Sequence, residues 1–337
     1  MLDKQASSST LSTSSMIAGP IISRRRGVLL PLLVAILYGG VLASLPVEVF
    51  NDRPSYLTYA FAAPVILERY IVHGLLTTLV NEPVWLLLNS LFGLFFTPGT
   101  IVRLLIFVPA SVVAWLTLKY HMNWIGWAIL FLLFPAVIKN HIIHLRQGVA
   151  IAFFLWGWYS PRLGWRWAIW LLTPLIHAAF FFVLFIYGLI RLGRVLHLAP
   201  DLCMLIIFCI AIVISLNLPW LASSLGARQA IEHSLREVHV SGLGFLFWLF
   251  ILMLFFLQGF RFLRRYLFEV ATLVFYLGTY FFGAVSARIF ESTLLLLLLV
   301  GLRLTRYRRI LFRAAIIGFV VLSYWMRLDE PLLGWGY

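Results

Sequence analysis

Residues 122–161 read MNWIGWAILFLLFPAVIKNHIIHLRQGVAIAFFLWGWYSP. Two apolar runs, 122–139 and 146–161, close around a polar cluster that spans His141, His144, Arg146 and Gln147. Runs of this length and hydrophobicity predict membrane-embedded helices on both sides of the cluster. An arginine deep in a span costs roughly 2.5 to 3.5 kcal/mol on insertion scales, so its presence here points to a site for a charged ligand. The alternative is a loop just outside the membrane, where solvated charges at helix ends are ordinary.

The rest of the chain has the same character. Its 337 residues are 63% hydrophobic, 16% aromatic and only 11% charged, with a mean hydropathy of +1.00. Those values exclude a soluble fold and a disordered chain, and they predict a single all-α, polytopic transmembrane helical bundle. A pI near 10.3 would suggest nucleic acid in a soluble protein. Here the basic residues lie in short clusters between apolar runs, where they set topology, so no nucleic-acid partner is expected. Cys203 and Cys209 sit six residues apart in one apolar run and read as packing residues.

Residues 1–23, with the Ser/Thr run from Ser7 to Ser15, lack apolar periodicity and read as a disordered cytoplasmic tail. Residues 24–337 read as the integral membrane domain. Arg24, Arg25 and Arg26 precede an apolar run over 27–46, expected as an uncleaved first span with its N-terminus inside. Further runs lie near 100–118, 122–139, 146–161, 200–219, 241–260, 266–285, 288–303 and 310–328. Two segments are ambiguous. Residues 84–97, after Glu82-Pro83, are apolar but short, and 167–190 are interrupted by Pro174 and His177.

The basic clusters Arg162/Arg166, Arg191/Arg194, Arg261/Arg264/Arg265 and Arg303/Arg306/Arg308/Arg309 arbitrate, because all should face the cytoplasm. Only one parity allows that. It makes 84–97 non-spanning and 167–190 a short helical hairpin, for about 11 crossings with the C-terminus outside. Outer loops fall near 47–82 and 220–240. Arg53, Lys139, Arg146, Arg228, Arg236 and Arg288 are then on the outer side, where they are not topology signals and need another explanation.

The outer loop over 47–82 carries Asp52, Tyr56, Tyr59 and Glu82. Aromatic faces stack on sugar C–H surfaces and carboxylates accept hydroxyl protons, although an interfacial aromatic belt has the same composition. Arg146 opens an apolar helix, and its planar guanidinium suits diphosphate because it binds phosphate oxygens bidentately and stays charged. His141, His144 and Gln147 recur at three-residue spacing and would share one face if a helix continues through them. As a metal pair the two histidines are weak, and no metal is assigned. His177 stands alone among apolar residues, either as a packing residue or as a general base. Arg228, Glu232, Arg236 and His239 recur as an amphipathic helix, either lying on the membrane or a surface helix whose Arg228-Glu232-Arg236 charges pair with one another. Arg288 with Glu291 reads either as a helix-internal ion pair or as a second phosphate contact.

Taken in order, these pieces resemble the EpsG-type branch of the Wzy polysaccharide polymerases. The matching residues are Asp52 with Tyr56 and Tyr59, Glu82-Pro83 before a Leu-rich helix, Arg146-Gln147-Gly148 through Ala152, an apolar run closing in His177, and Arg288 in Ala-Arg-Ile-Phe. The resemblance covers roughly residues 45–305. It departs after His177, where Ala178-Ala179 replaces the family's small polar residues.

The resemblance implies a GT-C-like, cofactor-free glycosyltransferase in a bacterial cytoplasmic membrane. Its substrates would be undecaprenyl-diphosphate-linked oligosaccharides at the outer face, with membrane lipid and a chain-length regulator protein as further partners. It implies His177, Glu82 or Asp52 as base. Arg146 and Arg288, assisted by Arg228 or Arg236, would hold the diphosphate, and Tyr56, Tyr59, Gln147 and His144 the sugar. Two other readings remain open from sequence: a transporter of lipid-linked oligosaccharide, and a membrane acyltransferase acting on the same polysaccharide.

Overall fold

The computed structural model describes residues 28–225, 242–282 and 285–336. Among them the regular structure is helical, with no strand beyond one isolated bridge between Phe50 and Gly336. The all-α expectation therefore holds. The tail at 1–23 lies outside the described residues, as does most of the expected outer segment at 220–240, including Arg228 and Arg236.

The first layer pairs α1 (Leu29–Ser44) with α5 (Pro98–Tyr120) along their lengths. The pairing is close because Gly39 has no side chain. A Cβ there would run into Ser111 Oγ and the Phe107 carbonyl, the close approach that small residues permit between apolar helices. In the chain, α2 (Arg53–Val72), α3 (Leu75–Val80) and α4 (Pro83–Gly93) connect these two helices. The expected outer loop at 47–82 is thus largely helical: Pro54 sits in the first turn of α2 and presets its backbone. At 11 residues, α4 is about half the length a span requires, as expected of the non-spanning segment.

The quoted stretch folds as three short helices, α6 (Ile125–Leu132), α7 (Pro135–Ile142) and α8 (Leu145–Tyr159). Pro135 holds Phe134 in an extended conformation, and the chain bends by 68° there. A second break follows at Ile143-His144, so His141, His144 and Gln147 do not share one helix face, contrary to the spacing.

Helices α9 (Leu163–Ile176) and α10 (Ala179–Val195) form the expected hairpin, turning at His177-Ala178. Their distal ends return to one place: Arg166, Arg191 and Arg194 line the same cleft with Arg265 and Arg303. The chain continues through α11 (Pro200–Leu225), α12 (Gly242–Leu257), α13 (Phe260–Arg265), α14 (Leu267–Thr279), α15 (Val285–Glu291), α16 (Leu294–Gly301) and α17 (Arg306–Trp325). Buried side chains from α1 to α17 make one continuous hydrophobic cluster.

Two described helical segments, Pro98–Tyr120 and Pro200–Asn217, are long and apolar enough to cross a bilayer. The bent pair Met122–Leu132 and Pro135–Ile142 makes a third if read as one span. That is well short of about 11 crossings, because several apolar runs are divided into helices too short to span alone. The run over 288–303, for example, breaks between Glu291 and Leu294.

Candidate functional site

Five helix breaks and termini converge on one cluster of charge. Glu82 caps the N-terminus of α4 with φ +62°, a left-handed conformation unusual for a side chain of its type. That backbone turns its carboxylate inward, where it is 1% exposed. One oxygen, Oε2, lies 2.6 Å from Arg146 Nη1 in the first turn of α8. The other, Oε1, lies 2.9 Å from His177 Nδ1 and also accepts the Ala178 N–H at 3.1 Å. Ala178 is the N-cap of α10, so the carboxylate satisfies an orphan amide at the positive end of a helix. His177 is 3% exposed and its Nε2 is buried with no hydrogen-bond partner.

The Arg146 guanidinium has aromatic neighbours on the α2 side. Its Cζ lies 5.9 Å from the Tyr56 ring and 5.2 Å from that of Tyr59. Both rings meet the fully buried Trp85 edge-on. Tyr56 is 4% exposed, so its ring supports Arg146 and offers little face to a sugar, whereas Tyr59 is half-buried.

A second pair flanks the first. Lys139 Nζ and Glu291 Oε1 are 2.8 Å apart, joining α7 to α15. Glu291 therefore pairs with Lys139, and the expected helix-internal pair with Arg288 does not form. His144 sits between two carboxylates, 3.9 Å from Glu291 Oε2 and 4.0 Å from Asp52 Oδ2, beyond hydrogen-bond reach of either. Asp52, at the N-terminus of α2, is half-exposed and forms the rim. Gln147 is fully buried and donates to the Arg288 carbonyl at 2.7 Å and to Ser292 Oγ at 3.1 Å. It locks α8 to α15 and has no surface for a sugar. His141 turns away, edge-on to Tyr38 at 6.5 Å.

Arg288 has no carboxylate within 4.0 Å among the described residues, and its carbonyl accepts from Gln147 in the first turn of α8. The cluster thus contains two arginines of different kind. Arg146 is already bound to Glu82, whereas Arg288 forms no ion pair among the described residues.

Arg53, unexplained in the sequence, belongs to the scaffold. It is fully buried, donating from Nε to the Ile142 carbonyl at 2.9 Å and from Nη1 to the Pro46 carbonyl at 2.7 Å, with Phe50 4.3 Å beneath it. It pins the end of α7 against the α1–α2 connection. No sequence spacing signals this role, nor the Lys139–Glu291 pair, whose partners lie 152 residues apart.

No family model matches this chain, and neither curated proteins nor solved structures give a match.

Proposed function

We propose that the chain is a membrane glycosyltransferase that polymerises lipid-linked oligosaccharide repeat units, moving a growing glycan from undecaprenyl diphosphate to the next repeat. The observation that carries this reading is the His177 imidazole, held through Nδ1 by Glu82 with Nε2 unpartnered, in a cluster that also holds Arg146 and, tied to the first turn of α8 through Gln147, Arg288. A carboxylate that accepts the Nδ1 proton fixes the tautomer in which Nε2 is the basic atom.

In the proposed step, an acceptor sugar hydroxyl gives its proton to His177 Nε2 as its oxygen bonds the anomeric carbon of the donor. The bond from that carbon to the diphosphate oxygen breaks, and the leaving group keeps the electron pair. Arg288 and the Arg146 donors not engaged by Glu82 or Tyr56 stabilise the charge that develops there. Glu82, already bound to Arg146 and His177, positions both groups and is not the base. Asp52 and Tyr59 stand on the accessible rim, where the sugars would approach. The outer face of a bacterial cytoplasmic membrane is the setting this reading requires.

The test is elongation by purified protein in detergent, supplied with undecaprenyl-diphosphate-linked repeat units. Longer glycan on the lipid carrier supports the proposal. Absence of elongation by a folded protein, with transport of the same lipid after reconstitution, would select a transporter instead. Incorporation of labelled acetyl into the glycan would select an acyltransferase.

A further inference from the structure

At the far ends of α8 and α9 from the Glu82 cluster lies a second cleft, partly open to solvent. The separation is about 20 Å, from thirteen residues of α8 between Arg146 and Tyr159 at a helical rise of roughly 1.5 Å each. Five arginines converge on the cleft: Arg166, Arg191, Arg194, Arg265 and Arg303, set against one lining carboxylate, Glu269. None of the five has a carboxylate within 4.0 Å among the described residues. Arg166 is 8% exposed and donates from Nη2 to the Ser160 carbonyl at 2.7 Å, while its Nε is buried without a partner.

Topology alone does not account for this arrangement. Arginines that serve only as positive-inside signals can splay into solvent, as their charges repel one another. These five instead come from four segments, Arg191 and Arg194 sharing α10, to one aromatic-walled hollow, which Trp158, Trp170 and Tyr187 help to line. Converging guanidinium forks with unspent donors match the oxygens of a phosphate group. The cleft also sits at the pole where the Arg261/Arg264/Arg265 and Arg303/Arg306/Arg308/Arg309 clusters gather, the side that meets the anionic leaflet under the positive-inside rule.

We infer that this cleft is a binding site for the phosphate headgroup of an anionic membrane lipid. The five guanidinium groups hold the phosphate oxygens, and the aromatic wall packs the glycerol and the first methylenes. The site is independent of the Glu82 cluster and stands whether or not the chain transfers sugars.

The experiment is native mass spectrometry of the full chain released from vesicles of phosphatidylcholine mixed with phosphatidylglycerol. The intact protein is expected to retain phosphatidylglycerol selectively. In an Arg194→Gln/Arg303→Gln double variant, retention should fall about tenfold or more, the scale of a lost charge-assisted hydrogen bond. Arg309→Gln, at the same pole but not in the cleft, should retain lipid as the unaltered protein does. Thermal melting of each variant reports folding, and the Arg194→Lys/Arg303→Lys variant, which keeps the charge, should recover part of the retention. Equal retention of the two lipids, or equal loss from Arg309→Gln and the double variant, would overturn the inference. Inorganic diphosphate that raises the melting temperature while no lipid is retained would overturn the lipid assignment and make the ligand a soluble phosphate.

Discussion

Glu82 Oε1 and His177 Nδ1 meet at 2.9 Å although 95 residues separate them, and the same carboxylate holds Arg146 through its other oxygen. One side chain therefore joins α4, α8 and the α9–α10 turn. Its backbone is in the left-handed region directly before Pro83. Such strain persists only where the surroundings over-determine it, and here burial and the polar contacts to Arg146, His177 and Ala178 do so.

Replacing Glu82 by Gln keeps its shape and removes its charge, leaving the half-buried Arg146 without this counterion. Breaking one side of a buried pair typically costs about 3 to 5 kcal/mol. Glu82→Gln is therefore expected to lower the thermal midpoint in detergent clearly and to abolish elongation. An unchanged midpoint would show that Arg146 does not depend on this carboxylate.

His177→Asn separates chemistry from scaffold. Asparagine can still donate to Glu82, so the stability cost should be smaller than for Glu82→Gln, while the basic nitrogen is gone. Loss of a general base commonly lowers rates by about 10² to 10⁴. Elongation by His177→Asn at the unaltered rate would remove His177 from the proposed step.

The two arginines should respond differently. Arg146→Ala is a stability change as well as an activity change, because it takes the guanidinium partner from Glu82, which is 1% exposed. Arg288→Ala breaks no described ion pair, so it should melt near the unaltered protein and still lose elongation. Comparing melting and activity for both variants checks this, and equal melting losses would contradict the different burden assigned to each.

Arg146-Gln147-Gly148 announces itself in the sequence because charge amid apolar residues is costly, and the helical hairpin over 167–190 follows from the placement of basic clusters at its two ends. What the sequence hides is pairing. Nothing local distinguishes Arg146, which is bound to Glu82, from Arg288, which is not, since that depends on which helix ends meet. Gln147 looks like a ligand contact for the same reason: a buried amide that locks two helices and an amide that holds a sugar share one composition. Crossing number is obscured differently. Hydropathy reports an apolar run but not where it breaks, and the bend at Pro135 and the break at His144 turn one polar interruption into the architecture of the site.

Arg53→Met tests the scaffold away from the chemistry. The change removes donors to the Ile142 and Pro46 carbonyls while keeping most of the apolar stem. Each buried acceptor left unsatisfied costs about 1 to 3 kcal/mol, so a lower thermal midpoint is expected. Residual elongation per folded molecule should stay measurable, because Arg53 touches none of the Glu82, Arg146 and His177 groups. Complete loss of elongation in a fully folded Arg53→Met protein would instead place it in the site.

Gly148→Ala probes how tightly α8 sits against α7. A Cβ at Gly148 would press into the Asn140 carbonyl oxygen and come within 3.0 Å of His141 Nδ1, and a backbone atom yields less than a flexible side chain. Overpacking of this kind costs about 1 to 3 kcal/mol, and relief by sliding α8 away from α7 would carry Arg146 and Gln147 with it. Elongation should therefore fall by more than the loss of folded protein accounts for. Gly188→Ala is the matched control: it also lies inside a helix, but nothing lies within 4 Å of its added Cβ. There the gain in helix propensity, about 0.5 to 1 kcal/mol, should leave stability equal or higher and elongation unchanged. Equal behaviour of the two alanine variants would mean that the α7–α8 contact does not position Arg146.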